Sequence, residues 1–498
     1  MRSINILLIL LTLSSFVFSQ EQTDLGTFKA PKYFAQVHDL HISDDAILLN
    51  YSPYVPVANL SLIKYGLYRY APLNTNGELT EKKIPTDQGI ITQAYYSGDT
   101  INEFVVYFKK GFPKYQYSYV IRKRSCKTME LLGTEKKLTE YQFRELMDYR
   151  YANLYHEGNE FVFVEMTEKE GNITFLSNDF EEINKIKIND PLFSALESKQ
   201  YYFAKVNPDG SILLIFPSWN KEKITPLSDV KNTILHVTPE GEIHSMVTNF
   251  SGSNTYPVPH NFGNYEYNAK TGEITWCYIT SSNTQPEQNG LGIARWNLNG
   301  NLLSNTNTIL NFETIFKDEP EIQNWFKSKH VSTEEIWGKY GRYGYISLLR
   351  SGDDLYATIS NPTVTPELVS ALYVSKIDDD GNMQWIKPIL TSFQMPNFYS
   401  GTPFMKDGKI HILLADFTVN MDRNQHINKF FAKQDAEFTF FDIALNPKDG
   451  NELSNDRMDV TLGSDKRLLS ISLNEKEFKA FLEIQSGKTI NYKEIILK

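Results

Sequence analysis

Glycine-terminated turns recur along this sequence between runs of β-forming residues. Three of them share one register, in which a strand end runs into a turn rich in Asn or Asp, at 205–210, 295–300 and 376–381. Asn, Asp and Gly recur at such positions because tight hairpin turns need positive φ and local side-chain hydrogen bonds. Looser copies lie at 74–77, 237–241, 268–272 and 446–450.

The turn spacing predicts a repeated unit. Seven turns, one per unit and roughly 50 to 80 residues apart, lie at Gly77, near Lys127 and Asp179, and at Gly241, Gly300, Gly381 and Gly450. Each unit holds about four short runs rich in Tyr, Phe, Ile, Val and Thr, which is typical of strands. Four strands per repeat are typical of β-propeller blades. We therefore predict an all-β fold, a single β-propeller of seven blades, with eight as the alternative.

Some segments fall outside this pattern. The capping box Thr-Glu-Tyr-Gln at 139–142 predicts a helix to about Arg150, and 319–329 has a helix-like composition. Both are predicted to be short helical insertions between strands. The strand-like runs in 466–498 have three alternatives: they close the ring with an N-terminal strand near Ile47, form an extra blade, or form a small separate β-domain.

The first 19 residues have the features of a signal peptide. Arg2 is followed by an apolar run from Ile4 to Leu13, and Ser19 offers a small residue at the cleavage site. The apolar run is shorter than the ~20 residues that a membrane span needs. We therefore predict a signal peptide at 1–19, a β-propeller at 20–498, and an exported protein that is periplasmic, bound at the outer surface or secreted, and not membrane-spanning.

Charge and cysteine content restrict the partners further. The chain has 50 Lys and Arg against 60 Asp and Glu, a net charge of −10. An acidic surface repels phosphate backbones, so no nucleic-acid partner is expected. Two cysteines are too few for a disulfide framework, and Cys126 and Cys277 are predicted to be buried, unpaired thiols.

Two short segments resemble a known repeat. The run Tyr-Asn-Ala-Lys-Thr-Gly-Glu-Ile-Thr-Trp at 267–276, and the Gly-to-Trp interval repeated at 380–385, resemble the repeats of quinoprotein-like (PQQ-like) propellers found among secreted bacterial proteins. The resemblance implies that Trp276 and Trp385 dock between neighbouring blades at corresponding positions. The dehydrogenases of that family place two adjacent cysteines beside the quinone. Because Cys126 and Cys277 stand alone, no cofactor is expected.

The usual catalytic and metal motifs do not account for the turns. Cations (Lys205, Arg295 and Lys376) occupy the position where a calcium loop has its first ligand, so hairpin turns are predicted and no metal. The sequence contains no G-x-S-x-G, H-E-x-x-H or P-loop motif. His236 and His244 could meet only across a hairpin.

Aromatic and polar residues gather before the presumed first strands of three blades. The Asn/Asp-Gly turns are expected to rim the bottom of the propeller, so these loops are expected to converge at the top mouth, and the alternative is that their aromatic residues pack between blades. The predicted ligand-binding residues are His260, Tyr265, Tyr340, Arg342, Tyr343 and Tyr399.

The function that fits these features best is non-catalytic recognition or scaffolding at the cell envelope or in the extracellular space. The expected partner is an envelope or extracellular protein or a glycan. The alternative is a carbohydrate-active or other hydrolytic propeller enzyme whose acids come from several blades, for which no catalytic residue can be assigned.

Overall fold

Within the residues that it describes, the computed structural model is almost entirely β. The residues that it describes are 22–29, 37–43, 46–51, 54–57, 60–63, 67–72, 82–83, 90–97, 99–111, 114–125, 128, 130–143, 151–157, 160–167, 170–196, 199, 201, 203–218, 231–249, 256–257, 264–281, 290–310, 324, 345–361, 370–391, 403–417, 437–461, 466–474, 479–486 and 489–496.

The strands follow one another as antiparallel sheets, numbered here 1 to 8 in chain order. The first strand, β1 (Gln22–Lys29), belongs to the last sheet. Sheet 1 and a hairpin inserted in it contain β2 (Val37–Ser43), β3 (Ala46–Tyr51), the hairpin strands β4 (Tyr54–Val57) and β5 (Leu60–Ile63), β6 (Leu67–Pro72) and β7 (Lys82–Lys83). Sheet 2 contains β8 (Ile90–Ser97), β9 (Thr100–Gly111), β10 (Lys114–Ser125) and β11 (Leu131–Phe143).

The middle of the chain continues this pattern. Sheet 3 contains β12 (Tyr151–Glu157), β13 (Glu160–Met166), β14 (Gly171–Leu176) and β15 (Glu182–Lys187), and the short helix α1 (Pro191–Ser194) follows it. Sheet 4 contains β16 (Phe203–Val206), β17 (Ile212–Ser218), β18 (Lys231–Val237) and β19 (Ile243–Asn249). Sheet 5 has five strands, β20 (Tyr256–Pro257), β21 (Asn264–Asn268), β22 (Glu273–Ser281), β23 (Gly290–Asn297) and β24 (Leu302–Ile309).

The last sheets have the same form. Sheet 6 contains β25 (Tyr345–Ser351), β26 (Asp354–Asn361), β27 (Ser370–Ile377) and β28 (Met383–Thr391). Sheet 7 contains β29 (Phe404–Lys406), β30 (Lys409–Phe417), β31 (Glu437–Leu445) and β32 (Glu452–Thr461). Sheet 8 contains β33 (Lys466–Asn474), β34 (Lys479–Ser486), β35 (Thr489–Ile496) and, as its outer strand, β1.

The predicted turns occupy equivalent places in these sheets. Each of the seven lies in the connection between the last two strands of its sheet, although Gly77 and Lys127 themselves fall outside the described residues. Gly210 instead joins β16 to β17, and Gly272 joins β21 to β22, so a sheet can have two such turns at the same end. Gly381 has a φ of 83°, a conformation that favours glycine. The prediction of a repeated four-stranded unit is confirmed.

The turn side chains have the role that the sequence predicts. Asp378 Oδ1 accepts hydrogen bonds from the backbone N–H groups of Asp380 (3.0 Å) and Asn382 (2.7 Å). Asn297 Oδ1 accepts from Asn299 and Asn301 in the same way. These oxygens therefore cap hairpin turns.

The helix predicted from Thr139 is wrong. Residues 139–142 lie in β11, where Thr139 pairs with Tyr119 of β10 and Tyr141 pairs with Tyr117. Local capping signals are weak beside a full ladder of strand hydrogen bonds, so the pairing with β10 determines the structure. The second predicted helix, 319–329, lies outside the described residues apart from Asn324.

The N-terminal strand that joins the C-terminal strands is also not the predicted one. Ile47 lies in β3 and pairs with Ile42 of β2 and Ala71 of β6. The strand that pairs with β35 is β1, from Gln22 opposite Ile495 to Lys29 opposite Thr489. β2 of sheet 1 also contacts β33 of sheet 8, so the first and last sheets are neighbours.

The core lies between neighbouring sheets. Successive side chains of a strand point to opposite faces, and each apolar face packs on the next sheet. Phe175 and Ile186 of sheet 3, for example, form one cluster with Leu214 and Phe216 of sheet 4.

Candidate functional site

Trp276 packs between two sheets, as the resemblance implies. It is buried in β22, in one cluster with Leu213 and Ile234 of sheet 4. Trp385 is half-buried in β28, packs against the cluster that sheets 6 and 7 share, and donates from Nε1 to Pro447 O at 3.3 Å. Trp276 lies in a second strand and Trp385 in a fourth, so the prediction of corresponding positions is wrong.

Of the six predicted ligand-binding residues, the structure describes one. Tyr265 is completely buried, stacks on Trp276 with the ring planes 5° apart, and receives a hydrogen bond from Asn232 Nδ2 at 3.1 Å. It is therefore a packing residue of the interface between sheets 4 and 5, which is the alternative stated for these aromatic residues. His260, Tyr340, Arg342, Tyr343 and Tyr399 lie outside the described residues.

Sheet 5 has two chemically different faces. Ile274 and Trp276 of β22 face sheet 4 in an aromatic and aliphatic cluster. Because side chains alternate along a strand, Glu273 and Thr275 lie on the other face, toward sheet 6. β23 places Arg295 on that same face, since Arg295 is the cross-strand partner of Thr275. The interface with sheet 6 is therefore polar.

An open cleft of about 520 Å³ separates sheets 5 and 6 at the end where the glycine turns lie. Sheet 5 contributes strand and turn residues from β21 to β24, and sheet 6 contributes β25 to β27 with the turns that follow β25 and β27. The lining residues are Asn268, Thr271, Glu273, Thr275, Arg295, Leu303 and Ser304 from sheet 5, and Arg350, Asp353, Leu355, Ile377, Asp378, Asp379 and Asp380 from sheet 6.

Ion pairs neutralise the cations of the cleft. Arg350 binds Glu266 through two hydrogen bonds, from Nε at 2.6 Å and from Nη2 at 2.7 Å, and so joins the two sheets. Arg295 Nη2 lies 2.6 Å from Glu273 Oε2. At the rim, Lys270 Nζ lies 2.7 Å from Asp353 Oδ1. Each positive charge of the cleft thus has its own carboxylate.

The turn 378–380 carries three further carboxylates. Burial raises the pKa of Asp378, but hydrogen bonds from Asn382, Asp380 and Gln384 outweigh that effect and lower the pKa below its usual value. The hydrogen bond from Lys270 lowers the pKa of Asp353. Asp379 and Asp380 are exposed at the mouth of the cleft. The mouth is therefore negatively charged at neutral pH.

Two residues with hydroxyl groups, Thr275 and Ser304, line the cleft. Thr275 is 2% exposed. Ser304 Oγ is buried and has no hydrogen-bond partner within the described part of the chain. Because buried hydroxyls are normally paired, Ser304 Oγ is an exception among the polar groups of the cleft.

A second polar cluster resembles a catalytic triad only in composition. Ser211 Oγ donates its hydrogen to Asp209 Oδ1 at 2.6 Å. His236 Nε2 lies 2.9 Å from Ser211 Oγ and must therefore donate to that serine oxygen. His236 therefore does not take the serine proton, and Ser211 is 1% exposed. His236 and His244 do meet across their hairpin, with ring centroids 5.9 Å apart. Within the described residues, no group of three or more metal-ligating side chains is present.

Other buried groups have structural roles. Glu103 accepts hydrogen bonds from both Arg122 and Arg124 inside sheet 2. Cys277 is a free, buried thiol, as predicted, and burial raises its pKa. Cys126 lies outside the described residues. In the part of the chain that is described, no helix is long and apolar enough to cross a membrane.

Sequence reasoning missed the cleft because its residues come from two sheets. The sequence does contain the run of three aspartates at 378–380, but it does not show that this turn lies beside sheet 5. The alternation of polar and apolar residues from Glu273 to Tyr278 was the available signal for a polar interface.

No family model matches the sequence, and no curated protein matches it in sequence. Solved structures with a similar chain path include a eukaryotic initiation factor, which is 8% identical with a TM-score of 0.39 over 94% of this chain and 91% of that chain. The β-propeller domain of the Trilobed protease from Pyrococcus furiosus is 10% identical, with a TM-score of 0.35 over 82% and 97%. Virginiamycin B lyase from Staphylococcus aureus is 10% identical, with a TM-score of 0.29 over 79% and 95%.

Proposed function

We propose that the eight sheets are the blades of one closed β-propeller. Consecutive four-stranded antiparallel sheets that pack face to face are the building plan of that fold. The pairing of β1 with β35 and the contact between β2 and β33 support closure, because they bring the first and last sheets together. On this proposal sheet 8 is an extra blade that also closes the ring.

We propose that this propeller is an exported recognition or scaffolding protein of the cell envelope or extracellular space, and that the cleft between sheets 5 and 6 holds its ligand. The observation that supports the site is the unpartnered hydroxyl of Ser304 beside an open polar cleft. Sheet 7 offers a comparison: Ser454 occupies the position of Ser304 but lies opposite Ala444, whereas Ser304 lies opposite Arg295. At this position the lining of sheet 5 is thus more polar than that of sheet 7.

The carboxylates of the cleft favour binding over hydrolysis. A glycosidase or related hydrolase needs a carboxylic acid that stays protonated near neutral pH, which requires a raised pKa. Asp353 and Asp378 have lowered pKa values. Glu266 and Glu273 are each held by an arginine. Such carboxylates hold charge and accept hydrogen bonds rather than donate protons.

The test is to fill the cleft and follow association with the envelope. We expect Ser304→Trp to abolish sedimentation of the purified protein with isolated envelope fraction, because the indole occupies the cleft. Ser454→Trp, the same change at the equivalent place in sheet 7, is the control and should sediment as the parent does. Equal sedimentation of both variants would overturn the assignment of the site. Turnover of an oligosaccharide panel that Asp378→Asn abolishes would favour the hydrolytic alternative.

A further inference from the structure

We propose that His236 and His244 of sheet 4 bind one divalent transition-metal ion between their imidazole rings. The site lies where sheet 4 packs on sheet 5, apart from the cleft between sheets 5 and 6, and is independent of the ligand proposed there. Four observations support it: the register of the two strands, an unpaired ring nitrogen, the hydrogen bonds that orient His236, and the access that His244 provides.

The first observation is the register of the hairpin. His236 of β18 pairs directly with His244 of β19, so the two side chains lie side by side on one face of sheet 4. Their ring centroids are 5.9 Å apart. A metal–nitrogen bond of about 2.0 to 2.1 Å places a ring centre about 3.2 Å from the ion, so two rings that share a tetrahedral ion have centres about 5.2 Å apart. A small rotation of the half-exposed His244 side chain closes the difference.

The second observation is an unpaired ring nitrogen. His236 is 2% exposed, and its Nδ1 is buried with no hydrogen-bond partner among the described residues. The strand order of sheet 4 places β17 and β19 on opposite sides of β18. Nε2 of His236 faces Ser211, which directly precedes β17. Because the two nitrogens of an imidazole point in nearly opposite directions, Nδ1 faces the β19 side, where His244 lies. A buried nitrogen is normally paired, so this one lacks a ligand.

The third observation is the set of hydrogen bonds that orients the His236 ring. Ser211 Oγ gives its hydrogen to Asp209 and accepts one from Asn207 Nδ2 at 2.9 Å. Nε2 of His236 donates to the same oxygen and therefore carries the ring proton. In a neutral imidazole this leaves the lone pair on Nδ1, the form that a metal ligand requires. Metal-binding histidines typically donate their other N–H to such an orienting group.

The fourth observation is access from solvent. The His244 side chain is 35% exposed, and its Nε2 lies 3.6 Å from Oε2 of the exposed Glu242. A carboxylate at the entrance attracts a cation. On the buried side, the ring of Tyr267 from sheet 5 lies 4.4 Å from that of His236 and closes the site. An ion therefore enters past His244.

The two imidazoles decide which metals fit. Imidazole nitrogen suits zinc, nickel and copper ions, whereas calcium and magnesium prefer oxygen ligands. Within the described part of the chain, no group of three or more metal-ligating side chains is present, so water completes the coordination of the ion. Such an open site leaves positions at which the ion can bind a further ligand.

The test is a calorimetric titration of the purified full chain, freed of metal with a chelator, with zinc, nickel or copper chloride. We expect His244→Gln to bind these ions at least about tenfold more weakly than the parent at one site. His156→Gln, which replaces an exposed histidine of sheet 3, is the matched control and should keep the parent affinity. Magnesium and calcium chloride should not displace zinc from the site.

A second variant tests the orienting hydrogen bonds. Ser211→Ala keeps both imidazoles but removes the acceptor of the His236 N–H, and it should weaken zinc about tenfold or more. Thermal melting without metal checks that each variant folds. Because an ion that binds the folded chain stabilises it, zinc should raise the melting temperature of the parent more than that of His244→Gln.

Two results would overturn the metal site: equal zinc affinity of the parent and His244→Gln, or no binding of zinc to the parent at about 1 mM. Ser304→Trp should keep the parent affinity for zinc, because it changes the cleft between sheets 5 and 6 alone. Loss of the metal site and loss of the proposed envelope binding can therefore be told apart.

Discussion

Arg350 binds Glu266 across the interface between sheets 5 and 6, with its Nε 2.6 Å from Oε1 and its Nη2 2.7 Å from Oε2. Glu266 is 6% exposed, and among the described residues Arg350 is the cation that binds its carboxylate. The pair lies on the cleft face of sheet 5 and fixes the distance between the two walls of the cleft. A substitution in this pair should therefore lower the stability of the protein.

Replacement of Arg350 by alanine should destabilise the protein by about 2 to 4 kcal/mol, because it leaves the Glu266 carboxylate buried without its cation. Urea unfolding at neutral pH measures this. Lys270→Ala, which removes the fully exposed cross-sheet pair with Asp353, is the matched control and should leave the unfolding midpoint unchanged. Equal midpoints for the two variants would show that the Arg350 pair is not buried.

Trp276→Ala should cost about 3 to 5 kcal/mol, because it empties a fully buried site between sheets 4 and 5. Trp385→Ala should cost clearly less, since that ring is half-buried and is held in part by one hydrogen bond. Thermal and urea unfolding of both variants give the comparison. Equal losses would mean that the two rings do occupy equivalent positions.

His236 should make stability depend on pH. Burial lowers its pKa from 6.5 to about 4 in the folded chain, so between these values the unfolded chain binds a proton that the folded chain excludes. The free energy of unfolding is therefore highest above pH 6.5. It falls by up to about 3 kcal/mol as the pH drops toward 4. Unfolding free energies measured across this range should fall for the parent and fall less for His236→Gln. His244→Gln, its half-exposed neighbour, should lose only a small part of that slope, because the His244 charge is the smallest of the three influences on the pKa of His236.

Processing can be checked by the intact mass of the protein recovered from its natural source. We expect the mature chain to begin at Gln20 or Glu21, because cleavage follows Ser19. Recovery of a product that retains residues 1–19 would contradict both the signal peptide and the predicted export.

The sequence predicted those features that short segments determine. The turn at Gly381 depends on Asp378 and on a glycine with positive φ, all within a few residues, and the strands on either side follow from their composition. The burial of Trp276 followed from a motif of ten residues.

Long-range pairing decided the rest. Thr139 carries a helix signal, but its partner Tyr119 in the neighbouring strand determines its conformation. Glu266 and Arg350 are 84 residues apart and meet only because sheets 5 and 6 pack together. No local sequence pattern indicates that contact, so the cleft beside it was not predicted.

The pairing of Gln22 with Ile495 also has a consequence for the order in which the molecule is made. During synthesis β1 is translated long before its partner strand β35. Sheet 8 therefore cannot form on the ribosome until residue 495 has been translated, and contacts of such long sequence separation form slowly. Until then β1 has no strand to pair with in sheet 8, and its backbone hydrogen-bonding groups stay open to other partners.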